Sequence, residues 1–160
     1  MKILIAYAGK SGTTAKCAKL LAEKLPGAVV ADLCETTPGP TDYDTVVIGG
    51  CIRMGQLHKR AKQYIVQHEN ILSQKQAAYF ICCGFPANKD QLFSSNIPAV
   101  LLKKAVTVQC FGGEMQLDRL HGLDKLIAKM VTKSTVDQKN APPSLQYDRI
   151  DEMATIIQKL

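Results

Sequence analysis

The sequence contains no tryptophan and lacks the motifs that define several common classes of protein. Its six cysteines form no C-x-x-C pair, and no cluster of cysteine and histidine has the spacing of a zinc site. We therefore predict no metal site and no disulfide framework, and we interpret most cysteines as small buried side chains. No apolar run reaches the roughly 18 residues of a membrane-spanning helix. The apolar start M-K-I-L-I-A-Y-A is too short for a signal peptide, so we expect a cytoplasmic protein.

Size and charge limit the function classes further. The chain has 160 residues, 46% of them hydrophobic, which predicts a single domain over residues 1–160. Its formal net charge of +6 favours anionic partners such as phosphate groups, anionic lipid or nucleic acid. We do not expect nucleic acid, because the basic residues do not alternate with aromatic ones.

Strands and helices alternate along the chain. Apolar runs at residues 2–7, 28–33, 45–48, 77–83 and 105–111 predict five strands, and residues at helical spacing lie between them. This alternation predicts an α/β fold with a doubly wound, five-stranded parallel sheet, strand order 2-1-3-4-5, and helices on both faces. In such a sheet the ligand lies at the carboxyl ends of the strands, so the loops at residues 8–14, 49–56 and 84–88 are the candidate site.

The second half of the chain contains three further helical patterns. A helical region is predicted over residues 91–104, interrupted by Pro98, and the last helix is predicted to begin near Asp148 as its N-cap. Between them, a helical insertion is predicted at about residues 116–135, with Lys125, Lys129 and Lys133 beside its apolar stripe. This basic helix either packs on the sheet or contacts an anionic partner, which is lipid at the inner membrane face or an acidic substrate.

The loop after the first predicted strand reads A-G-K-S-G-T-T and is the strongest functional signal. A nucleoside-triphosphate loop has the form G-x-x-x-x-G-K-S/T, which would require a glycine where Leu4 stands, and the dinucleotide pattern G-x-G-x-x-G is also missing. What remains is a hydroxyl-rich loop that opens into a helix and includes Gly12, which permits close backbone approach. Such a loop suits one terminal phosphate monoester, although an ordinary turn that caps a helix has the same composition.

This loop resembles the phosphate loop of the flavodoxin family, S/T-x-S/T-G-x-S/T, with Gly9 in place of the first hydroxyl residue. Within that family, V-V-I-G-G-C-I-R-M-G-Q-L-H at residues 46–58 and F-G-G-E-M at residues 111–115 resemble the menaquinone-dependent protoporphyrinogen IX dehydrogenase branch. The resemblance implies a flavodoxin-like fold and an FMN cofactor.

The resemblance also implies which residues bind the flavin. The phosphate would be held by Gly9, Lys10, Ser11, Gly12, Thr13 and Thr14. The isoalloxazine ring would lie between the second loop, Gly50, Cys51, Ile52, Arg53, Met54 and Gly55, and the third, Gly84, Phe85, Pro86, Ala87 and Asn88. Met54 or Ile52 would cover one face of the ring, and Phe85 is the aromatic candidate, or else a core residue.

Two polar residues near the second loop are open to two interpretations. Arg53 either places positive charge near the flavin or an acidic substrate, or pairs with an aspartate at the surface. His58 is expected to be exposed at the start of the next helix rather than to face the ligand. No catalytic constellation is present in the sequence, so catalytic residues are not assigned.

Two functions of different class remain open. One is an FMN-dependent dehydrogenase of heme biosynthesis that oxidises a reduced tetrapyrrole, or a similar substrate, and passes electrons to a quinone. The other is a flavodoxin-type electron carrier between redox protein partners. A phosphorylated signalling receiver is disfavoured, because the places of its acidic residues hold A-G-K at residues 8–10 and I-G at residues 48–49.

Overall fold

A computed structural model of the chain describes residues 1–84, 88–114 and 143–160. Its centre is a sheet in which five parallel strands lie in the order β2-β1-β3-β5-β6, with the short β4 paired antiparallel to β3. The strands are β1 (Ile3–Ala8), β2 (Val29–Asp32), β3 (Thr45–Arg53), β4 (Gln56–Leu57), β5 (Gln76–Cys82) and β6 (Thr107–Cys110). The predicted order 2-1-3-4-5 of the parallel strands is confirmed, and β4 is an addition that the sequence pattern did not indicate.

Helices lie between the strands. They are α1 (Thr13–Lys24), α2 (Lys59–Gln67), α3 (Glu69–Leu72), α4 (Lys89–Asn96), α5 (Ala99–Lys104) and α6 (Tyr147–Gln158), and a 3₁₀ turn spans Pro40–Asp42. The predicted helical region 91–104 is two helices, because Pro98 forces the preceding Ile97 into an extended conformation, with φ −121° and ψ 134°. The prediction that Asp148 caps the last helix is wrong, since Gln146 is the N-cap and Asp148 lies in the first turn.

Each face of the sheet is covered by a separate apolar core, as a doubly wound fold requires. On one face, α1 and α6 pack on the strands, and the buried side chains include Ile5, Leu21, Phe80, Met153 and Ile157. On the other face, α2, α4 and α5 pack on the strands, and the buried side chains include Leu4, Ile48, Ile65, Phe93 and Leu101. The adjacent Cys82 and Cys83 belong to opposite cores, as predicted for consecutive residues of a strand.

The central strand β3 is longer than predicted because its two glycines are packing positions. Gly49 pairs with Phe80 across the sheet, and a Cβ at Gly49 would lie 1.9 Å from Cζ of that ring. A Cβ at Gly50 would lie 2.6 Å from Cδ1 of Leu57. Glycine in a strand marks such close approach as well as chain reversal, so the strand does not end at Gly49 and Gly50 but continues to Arg53.

Some predictions fall on residues that the structure does not describe. Phe85, Pro86 and Ala87 of the third loop lie outside the described residues, and so does the predicted insertion at 116–135 with its three lysines. Within residues 1–84, 88–114 and 143–160, no helix has both the length and the apolar character needed to cross a bilayer.

Candidate functional site

The candidate site lies at the carboxyl edge of the sheet, where β1 has β2 on one side and β3 on the other. The chain leaves β1 for α1 and leaves β3 for a short hairpin, so the two segments diverge at the point where the strand order reverses. A crevice forms at such a point in open α/β sheets and is the usual place for a ligand. The loop between β1 and α1 and the hairpin after β3 therefore supply the candidate residues.

The amino end of α1 has the properties of an anion site. Gly12 precedes the helix in a left-handed conformation, with φ 88° and ψ −13°, which favours glycine. No described side chain caps this end of the helix, and its first turn holds no acidic residue. The first backbone N–H groups of a helix lack intrahelical partners and carry the positive end of the dipole, so they favour a bound phosphate.

Gly9, which stands where the family pattern has a hydroxyl residue, lies directly against the side chain of Thr14. A Cβ at Gly9 would lie 2.7 Å from Oγ1 and 2.8 Å from Cβ of Thr14. Thr14 is 1% exposed and is held by the core beneath it, so its side chain fills the space that a residue with a Cβ would need at position 9. Gly9 and Thr14 are thus a matched pair that closes the loop against α1.

The remaining loop side chains form a polar network with the segment after β6. The hydroxyls of Ser11 and Thr13 are 3.5 Å apart, and Oγ1 of Thr13 donates to the backbone carbonyl of Glu114 at 3.4 Å. Nζ of Lys16 lies 3.1 Å and 3.3 Å from the two carboxylate oxygens of Glu114. The hydrogen bond to Glu114 raises the pKa of Lys16, which keeps a positive charge beside the carboxylate. This ion pair offsets the negative charge that Glu114 would otherwise present to a phosphate.

The second candidate segment is a hairpin and not the open loop that the sequence predicted. Ile52 pairs with Leu57, and Arg53 pairs with Gln56. Between them, Met54 and Gly55 have φ of 50° and 75°, a combination that fits a two-residue turn with two left-handed residues. The predicted site residues Gly50, Cys51, Ile52 and Arg53 therefore lie on β3, because the hairpin extends the strand ladder.

Met54 is the residue that this turn presents to solvent. Its side chain is 84% exposed, and it is the one non-glycine residue with positive φ in the described part of the chain. A left-handed conformation costs roughly 1–2 kcal/mol for a residue with a Cβ. Such backbone strain concentrates at functional sites.

Cys51 of this second segment and His58, which follows it, are neighbours at the same edge. The backbone N–H of His58 donates to the carbonyl of Cys51 at 2.9 Å, and Nδ1 of His58 accepts from the backbone N–H of Arg60 at 3.3 Å. His58 is thus the half-buried cap of α2 and not the exposed residue that the sequence predicted. Burial, and then the charge of Lys10, lowers the pKa of His58, and burial raises the pKa of the Cys51 thiol. Both groups are therefore held in their neutral forms beside the phosphate loop.

The third candidate segment is described only at its two ends. Gly84 lies against residues that follow β6, since a Cβ at Gly113 would be 3.0 Å from the backbone nitrogen of Gly84. The backbone N–H of Cys83 donates to the carbonyl of Gly112 at 2.8 Å. Asn88 is exposed and precedes α4. The ends of β5 and β6 therefore meet at the same edge as the phosphate loop.

One residue of this edge, Asn96, was not predicted from the sequence. It is 4% exposed, and its side-chain amide bonds to the hairpin at Gly55, the second residue of the turn, and at Leu57, two residues further on. A signal was present in the sequence, because an asparagine between Phe93 and Ile97 occupies a helical position that should be apolar. A buried amide needs several partners, and that requirement could have pointed to a specific structural role.

The fold defines a class: a doubly wound α/β protein with a candidate anion site at the switch point of its sheet. The family model of the flavodoxin domain matches residues 4–141. The chain belongs to the flavodoxin domain family.

The individual proteins that this chain resembles are distant from it in sequence. The protoporphyrinogen IX dehydrogenase (quinone) of Escherichia coli strain K12 is 22% identical over 172 residues, covering 100% of this chain and 94% of the relative. A flavoprotein from Lactobacillus acidophilus NCFM, solved in complex with FMN, superposes with a TM-score of 0.54 at 16% identity, covering 68% of this chain and 92% of that one. An NADH:FMN oxidoreductase in its apo form superposes with a TM-score of 0.51 at 16% identity, covering 84% and 89%. The two structures support the fold.

Proposed function

We propose that this chain binds FMN at the carboxyl edge of its sheet and acts as a flavin-dependent oxidoreductase. The observation that carries the proposal is the amino end of α1, which has no side-chain cap among the described residues and no acidic residue in its first turn. It follows a glycine and hydroxyl loop at the switch point of a sheet whose family is the flavodoxin domain. The flavoprotein from Lactobacillus acidophilus, which shares this fold, was solved with FMN.

The residues present fit the phosphate end of FMN. The backbone N–H groups at the start of α1 and the hydroxyls of Ser11 and Thr13 would hold the phosphate, and Lys10 would add charge. Thr14 would contribute its backbone N–H, because its side chain is packed against Gly9. The isoalloxazine ring would lie between the Met54–Gly55 turn and the third loop at residues 84–88.

A bound flavin supplies the electron chemistry, and the protein supplies binding, orientation and local charge. Here the phosphate loop would fix one end of the cofactor, and the rigid hairpin would fix the position of the ring. His58 and Cys51 add no charge near the loop while they stay neutral. The positive charge that the loop itself presents to an anion therefore comes from Lys10. The chain's own contribution to the reaction is therefore positioning and a positive local field.

For the substrate we propose a reduced tetrapyrrole of the protoporphyrinogen type, with a quinone as electron acceptor. The support is the name of the Escherichia coli relative, which aligns over the whole of this chain and 94% of its own length. The net charge of +6 also suits a substrate with carboxylates. An electron carrier is the second candidate, because the 84% exposed Met54 would leave that edge of the ring accessible to a redox protein.

In the first experiment the purified, flavin-free chain is titrated with FMN, and binding is measured by the quenching of flavin fluorescence. The Gly12→Ala variant should bind FMN at least tenfold more weakly, because a Cβ at φ 88° strains the turn that aims the helix N–H groups at the phosphate. Gly27→Ala is the matched control, since Gly27 also has positive φ, 83°, but lies at the other end of α1 with open space around it. Absence of saturable FMN binding by the wild type would refute the proposal.

The second experiment separates the two functions. Protoporphyrinogen is added to the FMN-loaded chain with a soluble menaquinone analogue, and porphyrin fluorescence is followed. Porphyrin formation that depends on the quinone supports the dehydrogenase. Flavin that is reduced by a flavodoxin reductase, but never by protoporphyrinogen, supports the carrier and refutes the dehydrogenase.

A further inference from the structure

The buried amide of Asn96 holds the Met54–Gly55 turn from behind. Its Oδ1 accepts from the backbone N–H of Leu57 at 2.9 Å, and its Nδ2 donates to the carbonyl of Gly55, also at 2.9 Å. The second N–H of the amide donates to the carbonyl of Leu92, one helical turn back, at 2.9 Å. Both amide hydrogens and the amide oxygen are therefore used. The orientation of the amide follows from these partners, since a flipped amide would place its NH₂ group against the N–H of Leu57.

These bonds connect the hairpin to the helix that follows the third candidate loop. Asn96 is the last residue of α4, which begins directly after Asn88. Leu57, which Asn96 holds, is 5% exposed and packs on Gly50 of β3. One side chain thus joins the hairpin to α4.

We infer that Asn96 is a positioning residue for the flavin ring: it fixes the Met54–Gly55 turn in its left-handed conformation at the mouth of the site. The inference rests on the proposed binding of FMN. A turn with a methionine at φ 50° is strained, so it persists only when its surroundings hold it. The two bonds provide that support, because they fix the carbonyl of Gly55 in the turn and the N–H of Leu57 two residues beyond it.

Asn96 should therefore affect the ring and not the phosphate. The phosphate loop lies at the start of α1, and no described hydrogen bond connects it to Asn96. Riboflavin, which lacks the phosphate, isolates the contribution of the ring. Inorganic phosphate, used as a competitor of FMN, isolates the contribution of the loop.

The test uses the full chain with Asn96→Ala, and Asn70→Ala as the matched control, because Asn70 is exposed on α3. We expect Asn96→Ala to weaken FMN and riboflavin binding by a similar factor, about tenfold, since it leaves buried backbone groups of the hairpin unpaired. Competition by inorganic phosphate should be unchanged. Gly12→Ala should show the reverse pattern, with weaker FMN and phosphate binding and unchanged riboflavin binding.

A second variant, Asn96→Asp, keeps the inference testable if the alanine variant does not fold. A protonated carboxyl group offers one donor and one acceptor and can replace both bonds to the hairpin, whereas the carboxylate cannot donate to the carbonyl of Gly55. Burial favours the neutral carboxyl group. We expect the flavin absorption spectrum of this variant to depart from wild type at about pH 8 and to return toward it at about pH 5, while the wild-type spectrum changes far less over that range.

Hydrogen exchange in the flavin-free chain gives a readout without cofactor. The amide of Leu57 should lose protection in Asn96→Ala and keep it in Asn70→Ala. The inference would be overturned if Asn96→Ala bound riboflavin as tightly as the wild type, left the flavin spectrum unchanged and kept the Leu57 amide fully protected from exchange. If the wild type itself binds no FMN, the proposed function fails instead, and that result is distinct because it appears before any variant is compared.

Discussion

Replacing Gly9 with alanine would place a methyl group where the side chain of Thr14 lies, and we expect the native state to lose stability. The added Cβ would stand 2.7 Å from Oγ1 and 2.8 Å from Cβ of Thr14, shorter than ordinary van der Waals contact. Thr14 is 1% exposed, so it cannot swing into solvent, and the loop or the helix must shift. Overpacking of this kind costs about 1–3 kcal/mol. In a chain of this size each kcal/mol lowers Tm by roughly 2–4 °C.

The matched control for this variant is Gly39→Ala. Gly39 has φ −65° and ψ 139°, and no atom lies within 4 Å of its added Cβ, so alanine fits without strain. Its effect should be a gain of about 0.4–1 kcal/mol, because alanine restricts the unfolded chain. Urea denaturation of both variants, without flavin, measures the two free energies of unfolding. If Gly9→Ala is as stable as Gly39→Ala, the steric account of Gly9 is wrong.

Three further predictions concern the described core and the helix caps. Tyr79→Phe should leave the free energy of unfolding in denaturant unchanged or raise it, because the buried Tyr79 hydroxyl has no hydrogen-bond partner in the described part of the chain. Tyr64→Phe should lower that free energy by about 1 kcal/mol, since it removes a 2.7 Å hydrogen bond to a backbone carbonyl. The lowered pKa of His58 means that the native state binds a proton at this residue less readily than the unfolded chain does. The stability that neutral His58 contributes should therefore be lost as the pH falls from 6.5, the ordinary pKa, through the lowered pKa of the native state. His58→Asn keeps a cap acceptor and should reduce this loss when unfolding is measured over roughly pH 5 to 8. Gly49→Ala should prevent stable folding, because a Cβ 1.9 Å from the Phe80 ring has no space, and loss of the cooperative thermal transition would show it.

The parallel strands were predictable because strands that are buried on both faces are nearly continuous apolar runs, and their order was predictable because five such strands that alternate with helices usually adopt it. The extent of β3 was not predictable, because Gly49 and Gly50 have the composition of a turn. Their partners, the Phe80 ring and the Leu57 side chain, come from elsewhere in the fold. A glycine that makes room for a distant side chain cannot be distinguished locally from one that reverses the chain.

The candidate phosphate loop could be proposed from the sequence because its composition and its place after the first strand are local properties. The support of the hairpin was not, since Asn96 lies 41 residues beyond Gly55 in the chain. Local signals also misassigned Asp148, which has the composition of an N-cap but lies inside the first turn of α6. The chain enters α6 directly after the bridge between Gly112 and Leu145, a contact that the local sequence does not show.

Two features of the carboxyl edge favour a ligand at the candidate site. The amino end of α1 has neither a described side-chain cap nor an acidic residue in its first turn, and the Met54 side chain of the neighbouring turn is exposed. The described helices α3, α4 and α6 also lack a side-chain cap, but each has an acidic residue in its first turn. An anion would supply the negative charge that the first turn of α1 lacks, a flat ring would cover Met54, and FMN carries both groups in one molecule.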